Sequence, residues 1–286
     1  MQGQGEKGCF LGLVKDFKES SVVIHPVAFD KTTTYGHGAS KGPSALIEAS
    51  RNIELYDIET RSEVFKEGIF TAPEISPMSC QKMVEEVYEK STFFLNEGKY
   101  VVTIGGEHSI SFPVIRAHAK RYGPISVLQL DAHTDLAPAY EGNPYSHASV
   151  MARVKEIPEV DRIISVGIRS MAKEEMLYIN ENETFWAHTL FENESWMDQV
   201  IEQLSDRVYL TLDLDVFDSS IMPATGTPEP GGLDWNRVLK LIKRVIKAKS
   251  VIGFDVVELS PIPQLVAPDY LSAKLIYKIL SYLFQP

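Results

Sequence analysis

The sequence predicts an α/β fold built on a mostly parallel sheet. Short apolar, β-branched runs recur along its 286 residues. Most are continuous rather than alternating, the pattern of strands covered on both faces. Helical patterns lie between them, so strand and helix alternate.

The runs are SVVI (21–24), YVVTI (100–104), ISVLQL (125–130), RIISVGI (162–168), VYLTLDLDV (208–216) and VIGFDVVEL (251–259). Between them, SPMSCQKMVEEVYEKSTFFLNEGK places Met83, Val84, Val87, Tyr88, Phe94 and Leu95 at helical spacing, with Gly98 as a stop. In DWNRVLKLIKRVIKAK, Val238, Leu241, Ile242, Val245 and Ile246 form one stripe and Asp234 is placed to cap it. YLSAKLIYKILSYLF predicts a closing helix. No linker or repeat interrupts the order, so one domain over 1–286 is expected. The loop MPATGTPEPGGL (222–233) is dense in Gly and Pro and reads as irregular.

Composition narrows the function classes. Hydrophobic residues make up 44% and charged residues 23%, ordinary for a folded globular chain. A net charge of -11 argues against a nucleic-acid partner. Cys9 and Cys80 form no CxxC pattern, so neither a disulfide framework nor a cysteine zinc site is indicated. No apolar run is long enough for a membrane span, and the N-terminal MQGQGEKGCFLGLV does not read as a secretory signal. A cytoplasmic location without membrane or nucleic-acid contacts is the expectation.

In open parallel sheets, ligands bind beyond the carboxyl ends of the strands. Three predicted strands end in unusual polar groups there: Glu107 and His108; Asp131, His133 and Asp135; and Asp213 and Asp215. If the strands continued through these groups, alternation would aim Asp131 with His133, and Asp213 with Asp215, to one side. Two like unit charges about 4 Å apart repel by about 4 kcal/mol at an effective dielectric of about 20. Converging carboxylates therefore need protons or cations. Two divalent ions balance the four aspartates, with His108 and His133 as neutral ligands. Such an oxygen-rich set suits manganese, with iron or zinc as alternatives.

Read together, GGEHS (105–109), DAHTD (131–135), DLD (213–215) followed by TGTPEPGGL (225–233), and FDVVELSP (254–261) resemble the signatures of the ureohydrolases, the arginase and agmatinase family. The resemblance spans most of the chain, in the expected order. It implies an arginase-like three-layer α/β/α fold and two Mn2+ per subunit. It implies that His108, Asp131, Asp135 and Asp213 hold one ion, and that Asp131, His133, Asp213 and Asp215 hold the other. Two metals about 3.5–4 Å apart can activate one shared water for attack on a guanidinium carbon. His147, in YSHASV, takes the place of the proton-shuttling histidine. Glu258 would hold the guanidinium, and Thr225 is assigned to substrate binding. Asp255 and Glu107 are assigned supporting positions, Glu107 orienting His108 or nearby backbone. Family members commonly form homotrimers or homohexamers.

His25, His118 and His188 lie outside these motifs and read as structural. In arginases an Asn follows the second motif by two positions; here that residue is Ala137. This favours a small cationic guanidino substrate without a carboxylate near its tail. Agmatine fits, giving putrescine and urea. N1-aminopropylagmatine stays open because the loop TTYGHGASKGP (33–43), containing His37, lacks the Arg-Pro pair frequent in agmatinases. Arginine and guanidinobutyrate fit less well. A two-metal phosphoesterase would call for more His and Asn ligands and for cationic groups. A non-catalytic relative would lack a ligand or the shuttle.

Overall fold

The continuous apolar runs become the centre of one sheet. A computed structural model of the chain describes residues 6–285. The first five residues of the N-terminal stretch, which bore on the absence of a secretory signal, lie outside these. The strands are β1 (Val22–Val27), β2 (Ile69–Thr71), β3 (Tyr100–Gly105), β4 (Ile125–Leu130), β5 (Val160–Ile168), β6 (Thr184–Trp186), β7 (Arg207–Asp213) and β8 (Ser250–Val257). They pair in the order β2-β1-β3-β8-β7-β4-β5-β6, and every ladder is parallel. The edge strands β2 and β6 went unread in the sequence because three residues are too few to show a period.

Helices cover both faces. Even-numbered residues of β1, β3, β4 and β7, such as Ile24, Val102, Leu128 and Leu210, pack with α1 (Gly42–Ser50), α5 (Ser195–Gln203), α6 (Trp235–Ala248) and α7 (Val266–Leu283). Val27, Val127 and Tyr209 pack on the other face with α2 (Cys80–Asn96), α3 (Ser111–Tyr122) and α4 (Val150–Val154). This is the three-layer α/β/α arrangement. The caps follow local chemistry: Ser79 accepts from Lys82 N at the start of α2, and Asp234 accepts from Arg237 N at the start of α6. No helix among the described residues is long and apolar enough to cross a membrane.

One rank of polar residues crosses the sheet on the face toward α2, α3 and α4. In register, His25 lies beside Thr103, Thr103 beside Asp255, Asp255 beside Thr211, Thr211 beside Gln129, and Gln129 beside Ser165. The same face is apolar one step toward the amino ends, at Val23, Val101 and Val127.

Gly253 and His118 define a tight point on this face. The His118 ring lies 4.7 Å from the Tyr209 ring, centroid to centroid. A Cβ at position 253 would overlap His118 Nε2. Gly253→Ala should therefore overpack the α3–sheet contact and lower stability by about 1–3 kcal/mol. A urea midpoint equal to wild type would show that the ring yields freely.

Candidate metal centre and substrate cavity

The strands β3, β8, β7 and β4 are consecutive neighbours, and all carry site residues at their carboxyl ends. Chain segments far apart in sequence therefore deliver side chains to one point. After β3, Gly106 passes so close to Phe29 O that any Cβ there would overlap it. That approach lets Glu258 N donate to Gly106 O at 2.8 Å and His108 N donate to Glu258 Oε1 at 2.6 Å.

The aspartates do not reach the centre by strand alternation. β4 stops at Leu130 and β7 stops at Asp213, while residues 214–216 form a 3-10 turn. Each pair is organised instead by a carboxylate that caps the backbone two residues on. Asp131 Oδ1 accepts from His133 N at 2.6 Å, and Asp213 Oδ1 accepts from Asp215 N at 2.9 Å. Asp135 and Glu258 sit in the left-handed region, at φ 54° and 69°. Such backbone costs on the order of 1–3 kcal/mol per non-glycine residue, and it clusters at functional sites.

The ligand atoms fall into two groups, His108 with Asp131 and Asp213, and Asp131 with His133 and Asp215. Within each group they lie within 4.8 Å of one another. Asp131 belongs to both. His108 Nδ1 is ringed by Asp135 Oδ2 at 3.0 Å, Asp131 Oδ2 at 3.1 Å and Asp213 Oδ2 at 3.4 Å. It is nonetheless a buried nitrogen without a hydrogen-bond partner. His133 Nδ1 lies 2.8 Å from Asp215 Oδ2 and 3.7 Å from Asp131 Oδ1.

The cluster draws positive charge. Burial and the charge of Asp131 push Asp135 up to about 7. Burial, with Asp215 and Asp131, raises Asp213 well above the carboxylate range. Burial alone would keep His133 neutral, but Asp215 and Asp131 hold its proton up to about 10. Protons cannot satisfy every donor here, since one nitrogen faces three carboxylates. Divalent cations can: they accept all these lone pairs at once and require neutral imidazoles and ionised carboxylates. The residues present fit such ions.

A supporting layer fixes the ligands. His108 Nε2 faces Thr211 Oγ1 at 2.8 Å, and Thr211 Oγ1 donates to Asp255 Oδ1 at 2.7 Å. Tyr209 donates to Asp255 Oδ2 at 2.8 Å. With its hydrogen given to Asp255, Thr211 accepts from His108 Nε2–H, which leaves Nδ1 bare toward the carboxylates. Asp255 thus acts on the ligand through a hydroxyl. Gln129 Nε2 donates to Asp131 Oδ2 at 2.8 Å, and Gln129 Oε1 accepts from Ser165 Oγ at 2.7 Å. Glu107 turns elsewhere. It accepts from Thr32 N at 2.7 Å, Thr32 Oγ1 at 2.6 Å and Ser109 Oγ at 2.6 Å. Of the two expected roles, orienting His108 or nearby backbone, the contacts are those of the second, made to the backbone and hydroxyl of Thr32 in the 28–38 loop.

A cavity of about 270 Å3 opens above the cluster. His108, His133, Asp135, Asp213, Asp215 and Glu258 form its floor, with Asp131 buried beneath. His147, Tyr140, Ala137 and Glu175 line its sides, and Tyr35, 81% exposed, stands at its mouth. Among the described residues, no Lys or Arg lines it. Burial and nearby Glu107 push Glu258 up to about 8, so its ionised form calls for a cationic partner. Burial, then His133 and His108, holds His147 down to about 4. Thr225 is buried with its hydroxyl unpartnered, and the wall there is made by Gly226 and Thr227. His37 is exposed, with Nδ1 2.8 Å from Thr33 Oγ1, so it belongs to the mouth loop. His25, on β1, and His118, on α3, are buried where the sheet meets the α2–α3 layer, and His188 is exposed.

Several contributors went unread in the sequence. Thr211 and Gln129 stand two residues before Asp213 and Asp131, so period-2 facing offered a signal for both. Arg169 donates to the carbonyls of Gly167, Asp215, Phe217, Glu229 and Pro230 at 2.6–3.2 Å. Glu175 accepts from Thr134 Oγ1, Leu136 N and Ala172 N at 2.7–2.9 Å. Most of these contacts reach segments distant in sequence, which no local pattern announces.

Comparison with known proteins fits this site. A sequence model described as the arginase family matches residues 20–282. The chain is 36% identical to N(1)-aminopropylagmatine ureohydrolase of Synechocystis, over 94% of this chain and 91% of that protein. It is 30% identical to agmatinase of Pyrococcus horikoshii, over 93% of each. The agmatine ureohydrolase structure from Thermoplasma volcanium superposes with a TM-score of 0.86 at 29% identity, covering 95% of this chain and 92% of that one. The protein is therefore a hydrolase and belongs to the arginase family of ureohydrolases.

Proposed function

We propose that the enzyme hydrolyses agmatine to putrescine and urea, with two manganese ions held by His108, Asp131, Asp135 and Asp213 on one side and Asp131, His133, Asp213 and Asp215 on the other. The observation that carries the substrate class is the cavity itself. Acids and imidazoles form its floor, among the described residues no Lys or Arg lines it, and Ala137 stands where a carboxylate-binding Asn would be. A guanidinium head fits such a wall, and a carboxylate on the tail would find no partner. N1-aminopropylagmatine is the second reading, favoured by the 36% relatives of that name.

When bound, the ions neutralise the carboxylates and activate a water as nucleophile. The remaining steps belong to this chain. Glu258, freed of its proton, receives the guanidinium through charge-assisted hydrogen bonds. His147 hands a proton to the leaving amine nitrogen, since an amine leaves far more readily than an amide anion. Assembly as a homotrimer or homohexamer and a cytoplasmic location complete the reading.

A urea-release assay with manganese across agmatine, N1-aminopropylagmatine, arginine and guanidinobutyrate tests the substrate class. The two polyamine-type substrates should exceed the two acids by at least about 10²-fold in kcat/KM, because a buried carboxylate without a partner is strongly disfavoured. Preference for arginine would overturn the reading. Asp131→Asn removes an acid assigned to both ions; it should abolish urea release and lower manganese content measured on the purified protein. His147→Ala should lower kcat by about 10²–10⁴-fold with metal retained. Glu258→Gln should lower kcat/KM by about 10–100-fold. Thr211→Val keeps shape but deletes the hydroxyl, and should weaken manganese binding about 10–100-fold in calorimetric titration. Unchanged affinity would show that Asp255 does not act on His108 through Thr211.

A further inference from the structure

The site contains a second carboxylate–threonine–histidine chain, and it ends on His147 rather than on a metal ligand. We propose that Thr32 is a positioning residue that holds His147 in the Nδ1–H tautomer, with Nε2 left free to carry the proton exchanged with substrate. This rests on the reading of His147 as proton donor.

The argument is one of hydrogen count. A threonine hydroxyl has one hydrogen to give. Thr32 Oγ1 lies 2.6 Å from Glu107 Oε1, 3.0 Å from His147 N and 3.1 Å from His147 Nδ1. The backbone N–H of His147 must donate, so Thr32 accepts there. Between the remaining two contacts, the shorter one decides. Two oxygens 2.6 Å apart need a hydrogen between them, and the Glu107 carboxyl group already faces two further donors, the Thr32 N–H and the Ser109 hydroxyl. The hydroxyl hydrogen therefore lies toward Glu107. The Thr32 oxygen then has only lone pairs to offer His147 Nδ1, which must carry a hydrogen. Thr32 N and Ser109 Oγ complete the set of donors on the Glu107 carboxylate, at 2.7 and 2.6 Å, so its acceptor role is well supported.

The two chains run in opposite senses. Asp255 and Thr211 take the hydrogen of His108 at Nε2 and free Nδ1 for the metal side. Glu107 and Thr32 take the hydrogen of His147 at Nδ1 and free Nε2. One site thus uses the same pair of chemical groups to set two imidazoles to two different tasks. It also ties the loop that carries Tyr35 and Gly36 at the cavity mouth to the proton donor, through Thr32.

The test is a double-mutant cycle on the manganese-loaded enzyme. Thr32→Val should lower kcat by about tenfold or more, with KM within about twofold and manganese content unchanged. Thr32→Ser, which keeps the hydroxyl, should restore most of the lost kcat. Added to His147→Ala, Thr32→Val should have no further effect on kcat, because the two act as a unit. A full additional loss in that background would overturn the proposal, since Thr32 would then act elsewhere. So would an unchanged kcat in Thr32→Val alone, or failure of Thr32→Ser to rescue. If His147→Ala itself retains wild-type kcat, the proton-donor reading falls first, and the role of Thr32 falls with it.

Discussion

Asp131, Asp135, Asp213 and Asp215 are all buried, and their carboxylates converge with two imidazoles on a volume a few ångströms across. Without positive charge the cluster would oppose folding, because burial disfavours each ionised acid and each acid disfavours the next. Much of the surrounding structure keeps those oxygens aimed inward, at a point where a cation would satisfy them. The parallel sheet supplies aligned strand ends, the tight turns after β4 and β7 supply the aim, and the polar rank beneath supplies fixed donors.

That rank explains why ligand geometry survives the softness of loops. The candidate metal ligands lie at the last strand residue or just past it, where backbone is less constrained than in the middle of a ladder. Thr211, Gln129 and Asp255 lie in the strands themselves, locked by hydrogen bonds on both sides. Thr211 and Gln129 reach up to His108 and Asp131, and Asp255 holds Thr211 from the neighbouring strand. The rigid element therefore sets the orientation of the looser one. Below the rank, the tight contact of Gly253, His118 and Tyr209 is joined to Asp255 through the Tyr209 hydroxyl.

The sequence showed the fold class and the first ring of site residues for different physical reasons. Doubly covered strands must be continuously apolar, so β1, β3, β4, β5, β7 and β8 announce themselves. A four-aspartate cluster is too unfavourable to occur without a purpose, so its motifs stand out. The route by which the aspartates converge was not legible. Strand alternation and a capping turn both space the two side chains two residues apart, and only the structure separates them. Thr32, Arg169 and Glu175 were hidden because each bonds a segment far away in sequence, and a threonine or arginine in a loop carries no periodic mark. Thr225 shows the converse: its motif is visible, yet the structure gives the cavity wall to the residues beside it.

Arg169 bears on a last difficulty, how a site shaped to take a guanidinium avoids being filled by one of its own. Its side chain lies close enough to Asp215 and Asp131 to feel both charges. A guanidinium paired directly with those carboxylates would consume the lone pairs that a metal needs. Instead its nitrogens are spent on five backbone carbonyls, including that of Asp215 itself. The positive charge is thus fixed behind the cluster, where it offsets part of the carboxylate repulsion. The planar fork also fastens the 215–217 turn to the 229–230 stretch, joining one metal-side turn to the loop that walls the cavity. Lysine, with one nitrogen, can supply the charge but not that five-carbonyl clamp. Arg169 thus takes none of the cluster's carboxylate oxygens for itself, and among the described residues no Lys or Arg lines the cavity to compete with a cationic ligand.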